Sequence, residues 1–402
     1  MEGDREENLL ASSWEVEITT PGSEDLLRWM VNLKKGTPRG ATDGMRVVID
    51  ILTPKQCMFF PKLSEKLEKR GHEVLMLTRT YREVNSLLKL KGVDAKVIGR
   101  HGGGRLRDKL EASVERMGEM IPIIEEFKPD VAISFSSPEL ARVSFGLGIP
   151  HICINDSPHA EATARLTIPL SERLLTPKMI PKEVWVRYGI QPDRIIQYYA
   201  LDPWVWLRDL KPDESILASL NLDRSKPLLT FRMEESFAAY LLGRIRGESP
   251  IISIIDRLLK ERPELQMVVI PRYREHISTL REAFRGKLGN LKICESIIDG
   301  PSLLYYTTIF IGAGGTMSIE AALLGVPAIS CYPAGPFLIE SFLMNEGLII
   351  RETSPERVVR LILKMLEDPA SLRNRQTERA RRLTERFEDP LEVIVGVVEG
   401  LK

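Results

Sequence analysis

The sequence carries no excess of charge, little cysteine and no long apolar run, and each shortage excludes something. Lys plus Arg total 56 and Asp plus Glu total 56 in 402 residues. A chain with no net charge is not drawn as a whole to nucleic acid or to an anionic membrane. The four cysteines, Cys57, Cys153, Cys294 and Cys331, are scattered, with no CxxC pair and no metal-ligand spacing. They are expected to be reduced, mostly buried thiols of a reducing cytosol. No apolar stretch approaches the roughly 20 residues that span a bilayer. The acidic opening MEGDREENLL lacks the apolar core of a signal peptide. A soluble, cytoplasmic protein is the expectation. HExxH, clustered His and Cys, and an exposed DxD loop are all missing, so no protein-held metal is expected.

What is present is an apolar fraction of 43%, enough for a sizeable core, and a length that suits two domains. Residues 1–44 stand apart. They are acid-rich and broken by Pro21, Gly22, Gly36, Pro38, Gly40 and Gly44, with one short helix suggested near Leu26–Leu33. They are expected to be a poorly structured extension, either an appendage or the product of a misassigned start. From Met45 the rhythm is strand then helix. Buried strands are expected at Arg46–Leu52, Glu73–Leu77, Ala95–Ile98, Val131–Phe135, His151–Ile154, Arg173–Leu174 and Ile195–Tyr198. Helical patterns lie between them, such as Phe60–Arg70, Leu106–Phe127 and Glu139–Gly146. The rhythm breaks in DPWVWLRDLKPDESILASLNLDRSKP, whose prolines and exposed-looking aromatics suit an interdomain connection. It resumes with strands at Leu228–Arg232, Gln266–Ile270, Leu291–Cys294, Ile309–Ile311, Ala328–Cys331 and Leu348–Ile350. Short buried strands alternating with helices predict parallel, doubly wound sheets. The expected class is α/β, with two tandem Rossmann-like domains at 45–205 and 226–383, joined by 206–225. A C-terminal helical segment, 384–402, is expected to pack back on the first domain. Open parallel sheets take ligands beyond the carboxyl ends of their strands, which puts the site in the cleft between them.

One stretch carries most of the chemistry: Ile309–Ser330, IFIGAGGTMSIEAALLGVPAIS. A strand runs into Gly312-Ala313-Gly314-Gly315, and Thr316 is a good N-cap for a helix ending at Gly325. Consecutive glycines let a ligand approach the backbone. The amides at a helix N-terminus then face an anion that the dipole favours. Glu320, one turn on, would repel a phosphate but accept hydrogen bonds from sugar hydroxyls beside it. GAGGTM is not GxGxxG, and a tight strand–helix turn with a solvated Glu320 fits the same letters.

The run G-x-G-G-T-M-x-x-E-A-A-L-L-G-V-P resembles the second-domain signature of the glycosyltransferase-B superfamily, which includes the UDP-N-acetylglucosamine 2-epimerases. Its approach, IIDGPSLLYYTTIFIG, is similar as well. The chain most resembles an archaeal family known only as domain-of-unknown-function family 354. The shared pieces, in order, are MRVVIDILTPKQCMFF, RGHEVLMLTRTY, VIGRHGG, NDSPHAEATARLTIPL, VVIPRYREH and the glycine cluster. They run from Arg46 to about Glu346. The resemblance implies a GT-B architecture and a nucleotide diphosphate sugar, a UDP-sugar for example, as ligand. Gly314, Gly315 and Thr316 would hold the diphosphate and Glu320 the ribose. No cofactor is implied, and any divalent metal would arrive on the diphosphate.

Other candidates come from strand ends. Arg232 closes LLTFR and Arg272 follows VVIP, where a guanidinium can meet phosphate; each also reads as a surface arginine. Tyr273 and Arg274 would add stacking and charge. In INDSPHAEATARLTIP, Asp156, His159 and Glu161 follow a first-domain strand. His159 would take a proton from an acceptor hydroxyl with Asp156 beside it; alternatively Asp156 or Ser157 caps a helix and His159 is merely exposed. The loop His101-Gly102-Gly103 would hold an anionic group of the acceptor, or simply connect. Lys55 is a further acceptor-side candidate, and His72 reads as structural.

The leading expectation is a glycosyltransferase whose acceptor is left open, a lipid-linked one included, with no nucleic acid as partner. Trp204, Trp206 and Tyr198–Tyr199 would then form a membrane-facing surface, unless they are buried between the domains. A 2-epimerase is the alternative. It is weakened because the T-x-H-R-x-E-N typical of that family reads Thr230-Phe231-Arg232-Met233-Glu234-Glu235-Ser236 here, without the histidine. A non-catalytic sugar-nucleotide-binding protein is the third reading.

Overall fold

The computed structural model describes residues 44–234, 249–287 and 289–401. The expected helix near Leu26–Leu33, and Glu235 and Ser236 of the T-x-H-R comparison, lie outside the described residues. Among these, thirteen strands form two sheets. The first contains β1 (Arg46–Ile51), β2 (Glu73–Thr80), β3 (Lys96–Arg100), β4 (Val131–Ser134), β5 (His151–Ile154), β6 (Arg173–Pro177) and β7 (Ile195–Tyr198), in the order β3-β2-β1-β4-β5-β6-β7. The second contains β8 (Leu228–Arg232), β9 (Gln266–Ile270), β10 (Leu291–Ile293), β11 (Ile309–Gly312), β12 (Ala328–Ser330) and β13 (Ile349–Arg351), in the order β10-β9-β8-β11-β12-β13. Every pairing is parallel. This is the two-sheet α/β architecture read from the strand–helix rhythm.

The strands are short apolar runs because helices cover both faces. In β1 every residue after Arg46 is buried. The exception to apolarity there is Asp50, whose carboxylate accepts from Arg116 at 2.6 and 2.9 Å and from the Ser137 hydroxyl at 2.6 Å. A buried charge is tolerable only when paired in this way. Strand order reverses beside β1 in the first sheet and beside β8 in the second. Such switch points open a crevice at the strands' carboxyl ends. Thr53–Lys55 after β1, Arg232 at the end of β8 and Ala313 after β11 face the same region.

The chain between the sheets is more ordered than its prolines suggested. It forms short helices at Trp204–Leu207 and Ser215–Ser219. Tyr198 and Trp206 are buried, which overturns the membrane-facing reading for both. Trp204 and Tyr199 lie edge-on to Phe387. The helix Pro390–Glu399 packs against the helix Pro54–Lys69, with Leu391, Ile394, Val395 and Val398 joining the core that contains Phe59, Leu63 and Leu67. Lys66 pins this contact, 2.6 Å from Asp389 and 2.7 Å from Glu392. His72 is structural: its Nδ1 accepts from the Met45 amide at 2.9 Å. All four cysteines are free and buried.

Candidate active site

A cavity of about 480 Å³ lies in the cleft, lined from both sheets. Its wall on the side of the second sheet is made largely by backbone. Gly312 ends β11 and pairs in register with Arg232 of β8. Gly314 and Gly315 follow at φ 80° and 94°, conformations that side chains with a Cβ adopt at a cost. Thr316 is not the N-cap. Gly315 takes that position, with no side-chain cap, and Thr316 is the first residue of the helix Thr316–Leu323. The extended ψ of −177° at Gly315 makes the sharp entry that a capping threonine would otherwise mark. Gly325, at φ 66°, stops the helix.

Two arginines flank this turn. The Arg232 guanidinium donates to the Pro271 carbonyl at 2.7 Å. An Arg272 nitrogen lies 3.7 Å from where a Cβ on Gly315 would stand. Both line the cavity, as do Gly314, Gly315, Thr316 and Glu320. Glu320 is not a solvated helix residue: it is 5% exposed. Its carboxylate accepts from the Trp206 indole N–H at 2.8 Å. Burial pushes the Glu320 carboxyl up to about 7, with nearby Asp299 adding to the rise and the Trp206 bond and Arg232 opposing it.

The wall on the side of the first sheet is made of side chains. Lys55, just past β1, places its ammonium 2.6 Å from Asp156 and 2.5 Å from Asp202. The Tyr198 hydroxyl donates to Asp202, and the Ser157 hydroxyl donates to Asp156 at 2.9 Å. Burial works against the charge on Lys55, but its two carboxylates outweigh it and hold the ammonium above its ordinary pKa. Burial likewise opposes ionisation of Asp156, and Lys55 reverses it, so Asp156 is held below the usual carboxylate range. Asp202, deeper and beside Asp156, is raised by burial more than Lys55 can offset.

His159 closes the wall. Its ring stacks on Phe337, which follows β12 of the second sheet, centroids 3.9 Å apart and planes 25° from parallel. Burial lowers its pKa, partly countered by Asp156, which favours the neutral imidazole. The capping alternative for this segment fails. The next helix starts at Glu161 with Ala160 as N-cap, too far along for Asp156 or Ser157 to cap. Glu161 is exposed and paired with Arg165 at 2.7 Å.

Some candidates lie elsewhere. His101, Gly102 and Gly103 do not line this cavity. The His101 ring stacks on Tyr81 with centroids 4.5 Å apart, and its Nδ1 accepts from the Gly103 amide at 3.0 Å. Burial, with Arg79 and Lys109 nearby, lowers that imidazole to about 4. A Cβ on Gly102 would stand 2.4 Å from the Lys109 Cα, so this glycine serves helix packing. Tyr273 meets His276 edge-on, and Arg274 opens the helix Arg274–Ala283 with its side chain exposed. Asp202, Trp206 and Phe337 were not singled out as site residues by sequence. Each lies in a Pro-rich, irregular-looking segment whose fold supplies its partner. Among the described residues no cluster of three or more His, Cys, Asp or Glu is placed to hold a metal. No described helix is long and apolar enough to cross a membrane.

Residues 45–401 match the family described as "Protein of unknown function (DUF354)". An uncharacterized protein of Methanocaldococcus jannaschii, MJ0665, is 30% identical over 349 residues, covering 81% of this chain and 96% of that protein. The fold resembles that of the UDP-GlcNAc 2-epimerase of Neisseria meningitidis bound to UDP-GlcNAc, with TM-score 0.70, 16% identity, and coverage of 89% of this chain and 100% of that one. It also resembles the glycotransferase of kitacinnamycin, with TM-score 0.54, 15% identity, and coverage of 90% and 99%.

Proposed function

The chain belongs to the DUF354 family, and we propose that it binds a nucleotide diphosphate sugar in its cleft and transfers the sugar to an acceptor hydroxyl. One observation carries this reading. A single cavity is lined on one side by Gly314–Thr316 with Arg232 and Arg272, a wall suited to an anion, and on the other by His159 and Asp156.

The glycine turn and the first amides of the helix Thr316–Leu323 receive the diphosphate, and the arginines add charge-assisted bonds. Glu320 accepts from the ribose hydroxyls while Trp206 fixes its rotamer. His159 takes the proton from the acceptor hydroxyl as that oxygen bonds to the anomeric carbon. The bond from that carbon to the diphosphate oxygen breaks, and its electron pair leaves on the diphosphate. Preorganised guanidinium and amide dipoles stabilise that charge. Asp156, held ionised by Lys55, favours the imidazolium that forms. An epimerase reading draws support from the likeness of fold, which is a likeness of fold alone, and the histidine position of its motif is occupied here by Arg232.

The test is a thermal-shift screen of UDP-, GDP-, CDP- and dTDP-sugars, followed by nucleotide release with an acceptor panel. A ligand at 100 times its Kd adds about 2.7 kcal/mol of stability. Arg272→Ala is expected to weaken that ligand roughly 10- to 100-fold, as loss of a charged hydrogen-bond donor does. No shift from any sugar nucleotide overturns the proposal. A manno product from UDP-GlcNAc without acceptor, seen by NMR, replaces transferase with isomerase.

A further inference from the structure

Six acidic residues are buried among the described ones: Asp50, Glu139, Asp202, Glu234, Glu320 and Glu340. Five have partners. Asp50 pairs with Arg116, Glu139 with Ser137, Asp202 with Lys55, Glu234 with Ser249, and Glu320 with Trp206. Glu340 is the exception. It is 7% exposed, and both its carboxylate oxygens are shut off from solvent with no hydrogen-bond partner among the described residues. Leaving buried polar oxygens unsatisfied is costly. Glu340 also lines the cleft cavity, so its partner can come from a ligand there.

Its place in the fold narrows that ligand. Glu340 lies in the first turn of the helix Leu338–Asn345, whose N-cap is Phe337. Phe337 touches both walls of the site. Its ring lies 3.7 Å from a Cβ built on Gly314 of the glycine turn, and it stacks on His159. The segment carrying Glu340 therefore bridges the position of the diphosphate and the position of the base. In a nucleotide diphosphate sugar, the sugar ring is what lies between them.

We propose that Glu340 reads the donor sugar, accepting hydrogen bonds from two adjacent ring hydroxyls. This rests on the nucleotide-sugar reading. The carboxylate presents two acceptor oxygens and no donor, which suits a vicinal diol and disfavours a ring position lacking a hydroxyl. A site built around such a bond rejects the analogue without it more strongly than an apolar pocket rejects a wrong shape.

The experiment measures, by calorimetry on the full chain, binding of UDP-glucose, UDP-GlcNAc, GDP-mannose, CDP-glucose and dTDP-glucose beside UDP, GDP, CDP and dTDP. Glu340→Met is expected to weaken the preferred sugar nucleotide roughly 10- to 100-fold while leaving its bare diphosphate within about twofold. It is also expected to leave the ligand-free melting temperature unchanged or raised, because an unpartnered buried polar group is removed. Glu340→Gln, which keeps the volume, is read the same way should the Met variant not fold. Equal weakening of sugar nucleotide and bare diphosphate, weakening of neither, or a fall in ligand-free stability for both variants overturns the role. If the unaltered protein binds a bare diphosphate and the sugar adds nothing, this inference alone fails. If nothing binds, the nucleotide-sugar reading fails and takes this one with it.

Discussion

The two walls of the cleft are built by different means. The wall on the side of the second sheet is a local structure. Within Gly312–Glu320 a strand end, two glycines at positive φ and a helix start produce its shape; Arg232 reaches it from the adjacent strand β8, and Arg272 from just beyond β9, one strand further. The wall on the side of the first sheet is assembled at long range. Lys55, Asp156, Tyr198 and Asp202 come from three separate segments and are held by one buried ammonium. A backbone cradle is rigid and suits a ligand part of fixed chemistry, such as a diphosphate. A cluster of buried side chains can be re-specified residue by residue, which suits the part that changes with substrate.

The largest effect should come from breaking the long-range wall at its centre. Lys55→Met leaves Asp202 buried and Asp156 half-buried without their cation. Removing one partner of a buried pair costs about 3–5 kcal/mol. Without the ammonium both carboxylates have raised folded-state pKa values, so the deficit shrinks as pH falls through them. Urea unfolding at pH 8 and pH 5 checks this, with the larger loss expected at pH 8. Adding Asp202→Asn should restore part of the loss. A Lys55→Met protein as stable as the unaltered one at pH 8 would show that the two carboxylates are not held by this lysine.

How much of each wall the sequence disclosed follows from this difference. The glycine turn is contiguous, so its letters carry its shape, and the strand runs around it are apolar because helices bury both faces. All thirteen strands were legible for that reason, most to within a residue or two of their ends. The Lys55 cluster has no local signature, since nothing in TPKQ or DPWV marks a residue whose partner lies 147 positions away. Trp206 looked exposed beside Pro203 and Asp209, yet its indole spans to Glu320. Thr316 looked like a cap because Ser and Thr usually cap. Here the φ of 94° at Gly315 takes that position instead. The glycines of His101–Gly103 resembled a second cradle, but Gly102 is there because a Cβ would collide with the helix backbone beside it.

A smaller effect should separate the walls by pH. Glu320, raised to about 7 by burial, binds a proton in the folded state over a range where the unfolded chain has released it. It therefore lowers stability as pH rises from about 4.5 to 7, by an amount on the order of 3 kcal/mol for its full shift. Glu320→Gln removes this dependence, so the variant should gain on the unaltered protein between pH 5 and pH 8. Ribose hydroxyls favour the ionised carboxylate, so nucleotide affinity should rise with pH across this range in the unaltered protein and stay flat in the variant. Calorimetry at the two pH values reads both. A pH-independent affinity in the unaltered protein would remove Glu320 from the ribose role.

The smallest effect tests whether the cradle is conformational rather than steric. Among the described residues a Cβ at Gly315 meets nothing closer than the Arg272 guanidinium at 3.7 Å, an ordinary contact. The cost of Gly315→Ala is then the backbone's alone, about 1–3 kcal/mol for a non-glycine residue in this region. Part of it is offset because alanine restricts the unfolded chain. If the amides of this turn hold the diphosphate, relaxing φ from 94° rotates them away from it. Affinity for a bare nucleotide diphosphate should then fall, while the melting temperature drops only slightly. Gly102→Ala gives the contrasting result. Its Cβ would stand 2.4 Å from backbone, so stability should fall more and diphosphate affinity of the folded fraction should hold. Identical responses from the two variants would mean that the glycine cluster, like the His101–Gly103 loop, serves packing rather than binding.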